Sequence, residues 1–211
     1  NNSGVNGVGV RILDSPANTI SGCTFEDNTA SGYGAGVYIA NYTHDPVVDI
    51  DTSTFDGNST SASGGAAIHM VDGELTVDTC DFESNTSNGS AGGIYAGSGT
   101  DSIIADSTFT SNTGDYGAAV AAYGDTMDVS GSTFTSNHAT GLAGAINVEG
   151  GHLDLSDSDI ITNTAARSNG GVRFNNSATS GTIDGCLFEG NEGLNSTSNG
   201  GGAALVLRYG V

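Results

Sequence analysis

One motif, Phe-x-x-Asn, recurs seven times along this chain and sets the register for the rest of the sequence. Successive copies begin 25 to 30 residues apart, and one copy carries Ile in place of Phe. A period in this range is typical of a solenoid, in which each repeat forms one coil and packs on its neighbours. The first and last positions of the copies are Phe25/Asn28, Phe55/Asn58, Phe82/Asn85, Phe109/Asn112, Phe134/Asn137, Ile160/Asn163 and Phe188/Asn191.

Three further columns of residues keep the same register. An aliphatic residue stands five positions before each Phe, and Cys or Ser stands two positions before it. After a loop of variable length comes a third column, which is aliphatic and always follows two residues that are Gly or Ala. The first column is Ile20, Ile50, Val77, Ile104, Val129, Leu155 and Ile183, and the third is Val37, Ile68, Ile94, Val120, Ile146, Val172 and Leu205.

These columns predict short parallel strands that pair from coil to coil. Side chains two positions apart share a face of a strand, and stacked strands lie about 4.8 Å apart. A coil of this length is too short for a strand–helix–strand unit, and the crossover rule for parallel strands gives right-handed winding. We therefore predict an all-β, single-stranded right-handed parallel β-helix over residues 1–211, with about seven coils and three short strands per coil.

Equivalent residues are expected to stack on one another through the coils. The Phe column, with Ile160 in the sixth copy, is predicted to form one stack in the core. The Asn column is predicted to form a hydrogen-bonded ladder at a bend, because Asn tolerates left-handed backbone geometry and its amide can bond to the next Asn. The role of these asparagines is therefore structural.

A candidate contact face runs beside the third aliphatic column. The residues directly before that column are all Gly or Ala and are predicted to form a smooth outer strip, flanked by Tyr38, His69, Tyr95 and Arg173. Such a strip allows close approach of a protein or a glycan. The alternative is that small residues only relieve crowding at a corner. The strip consists of Gly36, Ala67, Gly93, Ala119, Ala145, Gly171 and Ala204.

The charge balance excludes several classes of partner. The chain has 24 acidic residues, four Arg and no Lys, for a net charge of −20. Nucleic acid and anionic membranes are poor partners because phosphate contacts need clustered basic residues. No apolar run reaches the roughly 18 residues that span a bilayer, so no membrane insertion is expected.

The acidic residues offer one candidate metal site and one candidate catalytic site. Oxygen-rich turns suit Ca²⁺, and the alternative is a solvated acidic face; no other cofactor is predicted. A lyase-like site would need carboxylates beside a base, and surface pairing is the favoured explanation for Arg167 and Arg173 near Asp154, Asp157 and Asp159. No catalytic residue is therefore predicted. The calcium candidates are Asp49, Asp51, Asp78, Asp101, Asp125 and Asp128.

The three cysteines fall in one column but in separate coils. Cys23 and Cys80, like Cys186, occupy the position two residues before Phe, in the first, third and seventh copies. Two coils separate the closest pair by roughly 9.6 Å, beyond the reach of a disulfide. We predict three free, buried cysteines that act as small apolar side chains.

The paired motifs resemble a known kind of repeat. Phe-x-x-Asn combined with a Gly-Gly-Ala-Ile-like segment is similar to the repeat of chlamydial polymorphic membrane proteins and related bacterial autotransporter-type passengers. The resemblance covers nearly the whole chain and implies an extracellular right-handed β-helix involved in adhesion. Its clearest segments are Gly65-Ala66-Ala67-Ile68, Gly92-Gly93-Ile94 and Gly170-Gly171-Val172.

From these observations we expect a non-enzymatic, extracellular or cell-surface solenoid, stalk-like or adhesin-like, that binds a protein or a glycan through its loops and lateral face. Neither end of the sequence shows a capping helix, and an uncapped end exposes strand edges that template pairing. The chain is thus expected to be a segment of a longer solenoid or a subunit that stacks end to end. The alternative function is a filament subunit, and a polysaccharide lyase or hydrolase is the less favoured one.

Overall fold

A computed structural model describes residues 2–41, 43, 45–124, 126–175, 180–194 and 204–207. These residues form short strands joined by turns, and no helix occurs among them. All strand pairs are parallel, and the strands line up in four sheets, which we name A to D in the order of their first strands. The predicted parallel β-helix of about seven coils is confirmed.

Sheets A and B each contain eight described strands. The strands of sheet A are Ser3–Gly4, Thr29–Ala30, Ser59–Thr60, Thr86–Ser87, Thr113–Gly114, His138–Ala139, Thr164–Ala165 and Glu192–Gly193. The strands of sheet B are Val10–Leu13, Val37–Ala40, Ile68–Met70, Ile94–Ala96, Val120–Ala122, Ile146–Glu149, Val172–Asn175 and Leu205–Leu207.

Sheets C and D each contain seven described strands. The strands of sheet C are Ala17–Ser21, Val47–Asp51, Gly73–Asp78, Thr100–Ala105, Thr126–Ser130, His152–Ser156 and Ser180–Asp184. The strands of sheet D are Thr24–Glu26, Thr54–Asp56, Asp81–Glu83, Thr108–Thr110, Thr133–Thr135, Asp159–Ile161 and Leu187–Glu189.

Each coil therefore has four strands, and the prediction of three was wrong. The additional strand belongs to sheet A and follows the ladder asparagine, as in Thr29–Ala30 after Asn28. It is only two residues long, so it leaves no alternating pattern in the sequence. Its pairing is nevertheless regular, with Thr29 opposite Ser59 and Ala30 opposite Thr60.

The phenylalanines of sheet D form a continuous stack through the core. Phe55, Phe82 and Phe109 are paired in register, and their rings are fully buried. Ring centroids of successive coils lie 4.6 to 4.8 Å apart, and the rings are within 7° of parallel. Ile160 continues the column after Phe134, and Phe188 follows Ile160 as a half-buried side chain.

The strip of small residues lies inside this core, so its predicted position on the exterior was wrong. Ala67, Ala119 and Ala145 are fully buried members of the main hydrophobic cluster. A Cβ on Gly36 would lie 3.0 Å from Cδ1 of Phe55, and one on Gly93 would lie 3.3 Å from Cδ1 of Phe109. At Gly36 and Gly93 a larger residue would also meet a backbone carbonyl of the next coil, so the position is crowded, in agreement with the alternative of crowding at a corner.

Two left-handed positions in every coil turn the chain around sheet D. One lies three residues before each Phe and the other two residues after it; Thr79 and Ser84 flank Phe82 in this way, with φ values of 52° and 56°. None of the described ladder asparagines has a positive φ. The left-handed residue is thus the neighbour before each Asn, and not the Asn itself as the sequence suggested.

Asn58 and Asn163 illustrate this correction at single rungs. Gly57 precedes Asn58 with a φ of 64°, and Thr162 precedes Asn163 with a φ of 53°. Both asparagines are fully buried. The left-handed geometry predicted for these two asparagines was therefore wrong, because the bend is made one residue earlier and the Asn only satisfies the buried groups that the bend leaves.

The asparagines form the predicted ladder, and its interior rungs use their whole hydrogen-bonding capacity. Nδ2 of Asn112 donates to Oδ1 of Asn137 at 3.0 Å and to the carbonyl of Phe82 at 2.9 Å. Oδ1 of Asn112 accepts from the backbone N–H and from Nδ2 of Asn85 at 3.1 and 3.0 Å. The same Nδ2–Oδ1 bonds join the whole predicted column, which is Asn28, Asn58, Asn85, Asn112, Asn137, Asn163 and Asn191.

Asn2 adds a rung that the sequence analysis missed. Its Nδ2 donates to Oδ1 of Asn28 at 2.9 Å, as the next rungs do. The sequence does not extend to the position three residues before Asn2, so the motif that marks the other rungs cannot be read there.

Truncating an interior ring of the stack should cost more than truncating the first. Phe82 stacks on a ring on both sides, whereas Phe25 stacks on Phe55 alone. We expect Phe82→Ala to lower the free energy of unfolding by about 3–5 kcal/mol, and Phe25→Ala by less. Urea unfolding of both variants checks this, and a larger loss for Phe25→Ala would contradict the stacked core.

Removing an interior ladder amide should also be costly. Asn112→Ala removes the acceptor of two buried Asn85 donors and the donor to the carbonyl of Phe82. Each buried group left unsatisfied costs about 1–3 kcal/mol of folding free energy. We expect a loss of at least about 2 kcal/mol in urea unfolding. The matched control is Thr113→Ala at the next residue, whose side chain is half-exposed and whose loss should stay within about 0.5 kcal/mol. Equal losses for the two variants would argue against the ladder.

Candidate functional site

The residues predicted as a contact face share one column on the outer side of sheet B. Tyr38, His69 and Tyr95 occupy consecutive strands in direct register. Arg173 lies further along, separated from Tyr95 by Ala121 and Asn147. We call this series, which begins at Arg11 and passes through Tyr38, the outer column.

The aromatic members of the outer column form a second ring stack. The His69 and Tyr95 centroids lie 4.5 Å apart with rings only 2° from parallel, and Tyr38 lies 5.5 Å from His69. Tyr33, which sequence analysis missed because it lies in a loop, stacks 4.6 Å from His69. Cζ of Arg11 lies 5.9 Å from the centre of the Tyr38 ring, within the range of a cation–π contact.

The outer column is covered, although the sequence suggested an open face. Tyr38 is 9% exposed, and His69 and Arg173 are each 6% exposed, while Tyr95 is half-buried. The turn that contains Gly64 leaves no room for a Cβ beside the His69 and Tyr33 rings. Since stacked rings present only their edges, the column offers a sugar no open ring face to lie on.

Burial sets the electrostatics of the column. It lowers the pKa of His69 to about 4 and raises the pKa of Tyr95 above its ordinary range. Burial also raises the pKa of Tyr123, whose ring lies beside the column, 5.3 Å from that of Tyr95. His69 is therefore neutral near pH 7, and the Gly65 N–H donates to its Nδ1 at 3.3 Å. At the far end, an Arg173 guanidinium nitrogen donates to Oδ1 of the buried Asn147 at 2.8 Å.

The calcium candidates that the structure describes lie on the outer face of sheet C, where two of them are directly opposite each other. Asp51 is directly opposite Asp78, as the sequence suggested, whereas Asp49 is opposite Thr19 and Thr76. Hydrogen bonds from the Ser21 and Thr52 hydroxyls lower the pKa of Asp51.

The remaining calcium candidates are similarly dispersed. Asp101 is opposite Glu74 and Thr126, and Asp128 is opposite Asp154 on one side and Ile103 on the other. Asp125 lies outside the described residues. Within the described part of the chain, no group of three or more His, Cys, Asp or Glu side chains is arranged to hold a metal ion.

The residues considered for a lyase-like site are spread over several parts of the coil. Arg173 belongs to sheet B, Asp154 to sheet C and Asp159 to sheet D. Asp154 accepts a hydrogen bond from the Thr182 hydroxyl at 2.6 Å and lies 3.0 Å from Nε2 of His152. These contacts, with that of the Thr182 hydroxyl as the largest cause, lower the pKa of Asp154.

The ladder asparagines take no part in an open surface at the interior coils. Nδ2 of Asn58 donates to the carbonyl of Phe25 at 2.9 Å, and Nδ2 of Asn163 donates to the carbonyl of Phe134 at 2.8 Å. Both amides also donate to the next rung, and neither side chain is exposed to solvent. These asparagines are structural residues, as the sequence predicted, and are not candidates for contact with a partner.

The cysteine column forms a second hydrogen-bonded ladder together with its serines. The Cys80 N–H donates to Oγ of Ser107 at 3.0 Å, and the Ser53 N–H lies 3.5 Å from Sγ of Cys80. Each hydroxyl in turn donates to the carbonyl two residues earlier, as Ser107 does to Ala105 at 2.7 Å. This ladder satisfies backbone groups at the corner between sheets C and D.

All three cysteines are free thiols, but only Cys80 is buried. Cys23 is exposed and Cys186 is half-buried, so the prediction of three buried thiols was wrong for these two. They lie in the first and last described coils of sheet D, where a neighbouring coil covers one side only. Burial is the main cause that raises the pKa of Cys80 to about 11.

An uncharged strip on sheet A is an open lateral surface. A shallow depression of about 380 Å³ there is lined by small and polar residues and contains no charged side chain. The hydroxyls of Thr29 and Ser59 lie 3.2 Å apart within it. We call this surface the hydroxyl strip; its outward-facing members include Ser3, Thr29, Ser31, Ser59, Ser61, Thr86 and Asn88.

Comparison with known proteins identifies the family. A family model described as a right-handed beta helix region matches residues 1–207, and the chain belongs to this family. Searches of curated proteins and of solved structures found no significant match. No helix that could cross a membrane occurs in the described ranges.

The thiols should differ sharply in reactivity. Cys23 is exposed, whereas Cys80 is buried and has a raised pKa, so we expect Ellman's reagent to modify Cys23 rapidly and Cys80 only on unfolding. Cys23→Ser should remove the fastest phase, and the matched control Cys80→Ser should leave it unchanged. Rapid labelling of Cys80 in the folded protein would contradict its position in the core.

Proposed function

We propose that this β-helix is a non-enzymatic, extracellular scaffold, a stalk or adhesin-like passenger that binds a protein or glycan through its loops and lateral surface. The observation that carries the proposal is the continuity of three internal columns: the Asn ladder, the Ser/Cys ladder and the Phe stack. Because the Asn ladder joins every described coil to the next and the other two columns join most of them, side chains on the lateral faces are held at a fixed repeat distance. A rod of this kind is suited to presenting a surface away from its point of attachment.

The hydroxyl strip is the proposed contact surface. Its serine, threonine and asparagine side chains offer donors and acceptors to the hydroxyls of a glycan or to a polypeptide. A net charge of −20 keeps copies of the rod apart in solution, while the uncharged strip lets a neutral partner approach without burying carboxylates. The resemblance to autotransporter-type passengers supports the extracellular location.

A glycan array probed with the purified chain tests the proposal. We expect saturable binding to a neutral glycan, and Ser59→Arg combined with Thr86→Arg should abolish it by filling the strip. The matched control is Thr108→Arg on the outer face of sheet D, whose side chain is exposed and outside the strip. Equal binding by the strip variant and the control would contradict the strip as the contact surface.

The same preparation distinguishes a scaffold from an enzyme. Incubation with acidic polysaccharides, followed by the ultraviolet absorbance of unsaturated sugar products, detects lyase activity directly. We expect no increase above a blank. Sustained product release that scales with protein concentration would contradict the non-enzymatic proposal.

A filament subunit is the second candidate function. The outermost described strand of each sheet pairs on one side only, and an open parallel edge can accept a strand of matching register. Sedimentation velocity over a range of protein concentrations separates the two candidates. A single monomer species favours the scaffold, and a series of growing species favours the filament.

A further inference from the structure

His69 is the one buried histidine among those that the structure describes. His138 and His152 are half-exposed, whereas His69 is 6% exposed beneath the turn that precedes its own strand. Burying an imidazole is tolerated in its neutral form, because the charged form loses hydration. The position of His69 thus couples its protonation to whether this turn stays in place.

The ring of His69 is held on both faces. Tyr33 stacks on it at 4.6 Å and Tyr95 at 4.5 Å, with Tyr38 next to them at 5.5 Å. Nδ1 accepts the N–H of Gly65 at 3.3 Å, so the proton of the neutral ring belongs on Nε2. The donor comes from segment 61–65, the turn whose Gly64 lies against the His69 and Tyr33 rings.

The groups facing His69 leave its charged form without an acidic partner. The titratable side chains stacked around it are the three tyrosines, and one of these, Tyr38, has the Arg11 guanidinium over its ring. Burial is the cause that lowers the pKa of His69, and no described carboxylate offsets it.

We propose that His69 is an acid-sensitive latch that holds segment 61–65 over the outer column. When Nδ1 takes up a proton, it becomes a donor and faces the Gly65 N–H, which is also a donor. The hydrogen bond is lost, and the charged ring gains hydration only if the segment lifts. Lifting uncovers the edges of Tyr33, His69 and Tyr95, so the outer column becomes a contact surface in acid.

The direction of the pH effect follows from linkage. The pKa of His69 is about 4 in the closed state and about 6.5 once the ring is hydrated, so protons bind more tightly to the open state. The closed state is favoured above pH 6.5 and loses its advantage as the pH falls towards 4. Between pH 7 and pH 5 the opening equilibrium should rise about twentyfold.

Amide hydrogen exchange of the whole chain at pH 7 and pH 5, corrected for intrinsic rates, tests the latch. We expect protection at Gly65 and across segment 61–65 to fall about twentyfold at pH 5. The equivalent turn, residues 115–117, should change far less, because the strand that follows it carries Ala121 at the column position. His69→Phe keeps a stacked ring and removes the titration, so protection should no longer depend on pH in this range.

Two further measurements keep the test decisive. His138→Phe, which removes a histidine from sheet A, should behave like the wild-type chain. A ¹⁵N titration of the wild-type imidazoles needs no variant and should show a pKa for His69 well below its ordinary value. The latch is overturned if wild type and His69→Phe lose protection equally, or if His69 becomes protonated while segment 61–65 stays protected.

Discussion

The hydrogen bonds of the Asn side chains pass from coil to coil along the corner between sheets D and A. Each interior Oδ1 accepts hydrogen bonds from the N–H and the Nδ2–H of the asparagine one coil before. Each interior Nδ2 also donates to the carbonyl of the Phe in the coil before. A corner of this kind buries backbone groups that no strand can satisfy, and an unsatisfied buried group costs about 1–3 kcal/mol. The amide therefore makes the corner possible, and the four sheets depend on it because they share the same chain path.

Other positions in the coil show how stacking restricts the choice of residue. Asp27 lies over Gly57, and Asp106 lies over Gly131, at left-handed positions where a Cβ on the glycine would collide with Oδ1 of the aspartate. Gly36 and Gly93, which stand before the third aliphatic column, are likewise confined by phenylalanine rings and by carbonyls of the next coil. A sequence rich in Gly, Ser, Asn and Asp is thus compatible with a close-packed interior, because the small residues occur where layers meet.

Features marked by the same residue type at the same position of each repeat were predictable from the sequence. Features that depend on backbone angles, or on which segments pack against each other in space, were not. The Phe and aliphatic columns defined the register, and the structure pairs Phe55 with Phe82 accordingly.

The two-residue strands of sheet A were not predicted because pairs such as Thr-Ala and Ser-Thr are too short to show an alternating pattern of apolar and polar residues. Asn2 was missed because the Phe position of its motif lies outside the sequence. The left-handed bend was assigned to residues such as Asn58 instead of the residue before, since backbone angles leave no mark on the spacing. The cover over His69 was missed because it is formed by a turn that varies in length and sequence between coils.

The functional proposals depend on the same repetition, since the hydroxyl strip and the outer column are both columns of side chains on neighbouring coils. Their geometry holds only if adjacent asparagines really are joined. The most direct measurement is the set of nuclear Overhauser contacts between the side-chain amides of Asn85, Asn112 and Asn137. Strong contacts between each successive pair, with slow exchange of the Nδ2 protons, are the result this account predicts. Amides that exchange at the rate of free asparagine and show no contact between coils would contradict it.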